Sequence, residues 1–109
     1  MCGIVGIIKK NQTHPADTIT RMLSVILHRG PDDSGIFSEC IGIDEWISLG
    51  HNRLSILDLS IRGHQPIISP DQRYVLVYNG EVYNYLEIAH ELGQDPILDM
   101  SSSDSSVVL

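Results

Sequence analysis

Apolar residues fall along this 109-residue chain in short runs whose spacing alternates between strand and helix periods. The first run, Cys2-Gly3-Ile4-Val5-Gly6-Ile7-Ile8, is nearly continuous and predicts a buried strand over residues 2–8. The polar stretch KKNQTHP behind it reads as a turn. From Asp17 the period lengthens: Ile19, Met22, Leu23, Ile26 and Leu27 recur at i, i+3, i+4, i+7 and i+8, one face of a helix. Pro15 suits the first turn of that helix, and His28-Arg29-Gly30-Pro31 supplies the basic residues, glycine and proline that stop it. Residues 41–59 alternate and predict two strands meeting near Gly50. IRGHQPIISPDQR, with two prolines, reads as a loop, and YVLVYNG (74–80) as a strand. Helical spacing returns from Tyr83 to Leu92 through Val82, Leu86, Ala89 and Leu92, with Gly93 as its stop. After QDPILDMSSSD, the stretch SSDSSVV (102–108) reads as the N-cap and opening of a further helix. The pattern predicts an α+β class that leans antiparallel. A helix cut at Leu109 leaves Val107, Val108 and Leu109 without the turns that would bury them, so residues 2–109 read as the N-terminal portion of a larger domain.

Composition narrows the function classes. A hydrophobic content of 42% and a charged content of 19% fit an ordinary globular domain. The formal net charge of −7 leaves no basic stripe to neutralise phosphates, so no nucleic-acid partner is expected. No run approaches the roughly 20 apolar residues of a membrane span, and no signal peptide precedes the first strand; the expected setting is cytoplasmic, without a membrane partner. Cys2 and Cys40 form no CxxC pair, the five histidines include no HExxH, and no metal is indicated.

Four stretches hold candidate chemistry. Cys2 stands directly behind Met1. If Met1 is removed, an α-amine of pKa about 7.7–8.0 lies beside a thiol of about 8.5, a nucleophile and a base in one residue. Against that, this stretch alone favours Cys2 as a small apolar residue opening a buried strand. HRGPDDSG (28–35) is either a capped loop or part of a site. In GHNRLSILDLS (50–60), Arg53 sits in an apolar strand region; it requires either an acidic partner or an anionic ligand. In VYNGEVYN (77–84), Asn79-Gly80 is a hairpin signal, but the helical period that follows favours a strand–turn–helix junction. Such a junction exposes a side-chain amide and a backbone N–H together, as an oxyanion hole requires.

In their order, MCGIVGI, HRGPDDSG, GHNRLSILDLS, GHQPI, YNGEVYNYLE and SDSSVVL resemble the class II glutamine amidotransferase domain of the N-terminal-nucleophile hydrolase fold. Within that family they are most similar to the glutaminase domain of glutamine-dependent asparagine synthetases, across nearly the whole chain. The resemblance implies a four-layer α-β-β-α sandwich whose later strands lie beyond residue 109. It implies Cys2 as the nucleophile, with its own α-amine as base, and Asn79 with the Gly80 N–H as oxyanion hole. It further implies that Arg53 clamps the glutamine α-carboxylate, that Asp104 and Glu81 receive the α-ammonium group, and that Arg29 lies close to the thiol. Ser106 departs from the family, which usually carries an acid there. The implied partners are glutamine as substrate and a synthetase domain in cis, which would take ATP and Mg2+ and aspartate. No cofactor is expected in residues 2–109, which carry no phosphate-cradling loop. An oligomer is compatible with the sequence. Two other readings stay open: a truncated, catalytically inactive fragment, and an amidotransferase acting on a different carboxylate acceptor.

Overall fold

The computed structural model describes residues 1–10, 14–55, 63–93 and 104–109. Three strands, β1 (Gly3–Lys10), β2 (Asp33–Gly42) and β3 (Glu45–Arg53), form an antiparallel sheet in the order β1-β3-β2. Helix α1 (Ala16–Val25) connects β1 to a short 3-10 turn, Leu27–Arg29, and then to β2. Two-residue strands β4 (Ile67–Ile68) and β5 (Val75–Leu76) pair with each other, and α2 (Tyr85–Glu91) follows. A 3-10 turn, Asp104–Val107, packs against α2. The described residues are of the α+β class.

Alternation along β3 divides the sheet into two unlike faces. Ser48, Gly50 and Asn52 face α1; Ile47, Leu49, His51 and Arg53 point the other way. On the helix side Val5, Ile19 and Leu23 form the buried core, with Ile7, Met22 and Ile26 packed around it. Gly50 lets the helix close on the sheet, since a Cβ there would stand 2.8 Å from Val5 Cγ2 and 3.0 Å from Leu23 Cδ1. The buried Asn52 amide donates to the Leu23 carbonyl at 2.8 Å and accepts the Ser34 hydroxyl at 2.9 Å, tying the end of α1 to β2 and β3. Both the oxygen and the nitrogen of that buried amide are engaged, which offsets the cost of its burial. On the opposite face, the segment after residue 62 crosses β2 at Gly35, where a Cβ would collide with the Gln65 carbonyl and the His64 ring.

Several expected elements are placed differently. Gly50 is interior to β3, not a meeting point of two strands; the chain reverses at Ile43–Asp44, with Asp44 at φ 55°, and the partner strand is β2. The hydrophobic pattern missed β2 because it is an edge strand with polar residues on both faces, Ser34 and Ser38 on one and Asp33 and Glu39 on the other. The expected strand 74–80 contracts to Val75–Leu76, and its partner lies inside the expected loop 61–73. Beyond Leu76 the Tyr78 N–H is taken by a side chain rather than by a strand. Leu27 is exposed, because the tightening after Val25 rotates it off the helical stripe. The second helix begins at Tyr85 and buries Ala89, whereas Leu86 and Leu92 are exposed. The expected helix near 104 is a single 3-10 turn. Residues 11–13 of the expected turn, 56–59 of the expected strands, 61–62 of the loop and 94–103 lie outside the described residues.

Candidate active site

The loop HRGPDDSG brackets the end of β3. Gly30 is buried where a Cβ would press on the Asn52–Arg53 peptide. The Asp32 N–H donates to the Arg53 carbonyl at 3.0 Å, and its carboxylate accepts the Ser55 N–H at 2.7 Å. Since Gly3 pairs with Asn52, Cys2 arrives beside the same strand end, and its Sγ accepts the Leu54 N–H at 3.4 Å. The sulfur and the arginine are thereby set within two residues of one another along one strand terminus.

Arg53 is only 9% exposed. Its guanidinium lies against the backbone of Gly63, where any side chain would overlap it. Next to Gly63, the His64 ring lies 2.7 Å (Nδ1) from Asp33 Oδ2. The carboxylate only accepts, so Nδ1 carries the proton. Gln65 follows, buried, and its Oε1 accepts the Tyr78 N–H at 2.6 Å. Asn79 and Gly80 come next, both exposed. A Cβ on Gly80 would stand 2.6 Å from Tyr78 Oη, so glycine lets that phenol fold back over the junction. Asp104 closes the other side, accepting the Val82 N–H at 3.1 Å.

Cys2, Arg53, Asn79, Gly80, Glu81 and Asp104 line a single cleft of about 930 Å³. A volume of that size suits a small ligand. Arg29 is not among its lining residues; it is half-buried at the end of the 3-10 turn, its β-carbon against Gly3.

The structure adds cleft residues that the sequence reading passed over: His51, Gly63, Gln65 and Tyr78. His51 was findable, because it shares a face with Arg53 two positions away. It is 1% exposed, and among the described residues neither ring nitrogen has a hydrogen-bond partner of good geometry. Burial holds its pKa below the ordinary value of 6.5, assisted by the Arg53 and His64 charges and opposed by the Tyr78 backbone and Asp33. The ring is therefore neutral at pH 7. Gly63 and Gln65 belong to the GHQPI stretch, but their roles depend on contacts 10 and 13 residues away that no local pattern encodes.

One thiol, one guanidinium and two carboxylates thus line the same cleft. A family model for the glutamine amidotransferase domain matches residues 1–109, and the chain belongs to that family. Similar proteins include asparagine synthetase [glutamine-hydrolyzing] 1 of Bacillus subtilis, 38% identical over 116 residues, covering 100% of this chain and 17% of the relative. A Methanocaldococcus jannaschii protein provisionally named asparagine synthetase [glutamine-hydrolyzing] 2 is 41% identical over 123 residues, covering 100% of this chain and 23% of its own. Asparagine synthetase [glutamine-hydrolyzing] 2 of Bacillus subtilis is 35% identical, with 100% of this chain and 14% of the relative covered. The chain thus spans less than a quarter of the length of these relatives. No solved structure matches.

Proposed function

We propose that this domain hydrolyses glutamine to glutamate and ammonia, and that in the natural protein the ammonia passes to a synthetase domain that amidates aspartate. The observation that carries the reading is the convergence of Cys2, Arg53, Asn79, Gly80, Glu81 and Asp104, drawn from four separate parts of the chain, on one cleft. Glutamine presents a carboxylate to Arg53, where a guanidinium bonds it bidentately, and an ammonium group to Asp104 and Glu81. Its side-chain amide then reaches toward Cys2.

Met1 is 73% exposed at the cleft, open to removal, and its loss would release the Cys2 α-amine into the same space. That amine takes the thiol proton as sulfur attacks the amide carbon. The resulting oxyanion is held by the Asn79 side-chain amide and the Gly80 N–H. Collapse breaks the C–N bond, the α-ammonium returns its proton to the departing nitrogen, and ammonia leaves a thioester on Cys2. Water, deprotonated by the same amine, hydrolyses the thioester to glutamate and restores the thiol.

The larger architecture in this reading is a four-layer α-β-β-α sandwich. In support, the sheet face opposite α1 carries Ile4, Ile8, Ile47 and Leu49 beyond the reach of the cleft, with Ile8 67% exposed, an apolar surface of the kind a second sheet covers. ATP and Mg2+ belong to the synthetase reaction in this reading, and no step above passes through either. The unpaired Cys2 and Cys40 are compatible with a reducing cytoplasm. In the natural protein, Cys2→Ala should abolish glutamine-dependent synthesis and leave ammonia-dependent synthesis intact. Equal loss of both activities would contradict the proposal.

A further inference from the structure

The Asn79–Gly80 junction is not held by a sheet. The β4–β5 ladder ends at Leu76, and α2 begins only at Tyr85. Between them, two side chains take the backbone N–H groups on either flank of the junction: Gln65 Oε1 accepts from Tyr78 at 2.6 Å, and Asp104 Oδ2 accepts from Val82 at 3.1 Å. Asp104 already has a proposed part in binding the substrate ammonium group. Gln65 has none. It is 7% exposed, and the backbone around it is fixed to β2 through the His64–Asp33 pair and the close approach of its carbonyl to Gly35.

We propose that Gln65 is a positioning residue for the oxyanion donors, setting Asn79 and Gly80 through its hydrogen bond to the Tyr78 N–H. The assignment rests on the glutamine-hydrolysis reading. A donor pair acts through where it stands when charge develops on the amide oxygen, so a relaxed flank lowers turnover more than ground-state binding. Arg53 on β3 and Asp104 on the last 3-10 turn, which hold the substrate backbone, stand on other elements, so ground-state binding changes less than turnover.

The test uses the natural protein, with glutamate release and ammonia-dependent synthesis measured side by side. Gln65→Met keeps the side-chain length and removes the acceptor oxygen; Gln65→Glu keeps an acceptor at the same place. Gln65→Met should lower kcat for glutamine hydrolysis about 10- to 100-fold while the glutamine KM stays within about twofold. Ammonia-dependent synthesis should not change, and Gln65→Glu should recover most of the lost turnover. The proposal is overturned by wild-type kcat in Gln65→Met, by KM rising as much as kcat falls, or by Gln65→Glu being as slow as Gln65→Met. Should Gln65→Met fail to fold, Gln65→Asn, whose shorter side chain draws the oxygen away from Tyr78, is read for the same split. Cys2→Ala in the same assay separates the two claims. If Cys2→Ala still hydrolyses glutamine, the glutaminase reading falls; if it does not and Gln65→Met is unimpaired, only the positioning role falls.

Discussion

Replacing Gly63 by alanine tests whether space, rather than backbone freedom, makes that glycine necessary. Among the described residues the only glycine with positive φ is Gly93, so alanine at 63 meets no conformational obstacle. The obstacle is Arg53. A Cβ at 63 would stand 2.8 Å from Arg53 Nε and nearer still to the centre of the guanidinium, inside any ordinary contact distance. The guanidinium is the tip of a flexible side chain, so it yields in place of the backbone, moving by on the order of 1 Å, a displacement large enough to degrade a positioned contact by up to about two powers of ten. A hydrogen-bonded charge contact contributes about 1.5–3 kcal/mol, and each 1.4 kcal/mol is tenfold in affinity. The glutamine KM of Gly63→Ala should therefore rise about 10- to 100-fold, with kcat nearly unchanged, because a carboxylate clamp binds ground and transition states alike. Thermal stability should hold, since Gly→Ala at a compatible position restricts the unfolded chain. The assay is glutamate release across a wide glutamine range, paired with a melting curve. An unchanged KM would refute the reasoning, and so would a lost fold.

Asn79→Ala should show the opposite kinetic signature, turnover lowered about 10²–10³-fold with little change in KM, as expected for loss of one preorganised oxyanion donor; interchangeable kinetics for Asn79→Ala and Gly63→Ala would abolish the division of roles. His51 predicts a pH effect on stability. Its folded pKa lies below the unfolded value of 6.5, so the unfolded chain binds the extra proton and stability falls as pH drops through 6.5 toward the folded value, with none of this loss above it. Chemical denaturation across that range should show the decline in the natural protein and a flatter profile in His51→Gln.

The residues that line the cleft were more legible in the sequence than the fold around them. Cys2, Arg53, Asn79 and Gly80 each break a local rule: a thiol behind the initiator, a cation among apolar residues, a hairpin dipeptide ahead of a helix. Taken one stretch at a time each conflict is weak, and it is their order along the chain that resembles the amidotransferase domain. Gly50 shows the converse. As a glycine in an alternating run it resembles a turn, and only the approach of α1 through Leu23 explains it. The edge strand β2 escaped because neither of its faces is continuously apolar, and Tyr78 because its backbone partner is the side chain of Gln65. Those features depend on contacts distant in sequence, which periodicity does not carry. The α1 stripe was readable up to Ile26 and failed at Leu27, where the helix tightens.

The central claim is that Cys2, freed of Met1, is the nucleophile of a glutamine-binding cleft. Intact-mass and peptide analysis of the natural protein after exposure to a glutamine-mimicking electrophile tests it most directly. The account predicts a protein lacking Met1, a single adduct on Cys2, and protection by glutamine but not by other amino acids. An active protein that retains Met1, or an adduct on Cys40 with Cys2 unmodified, would contradict it.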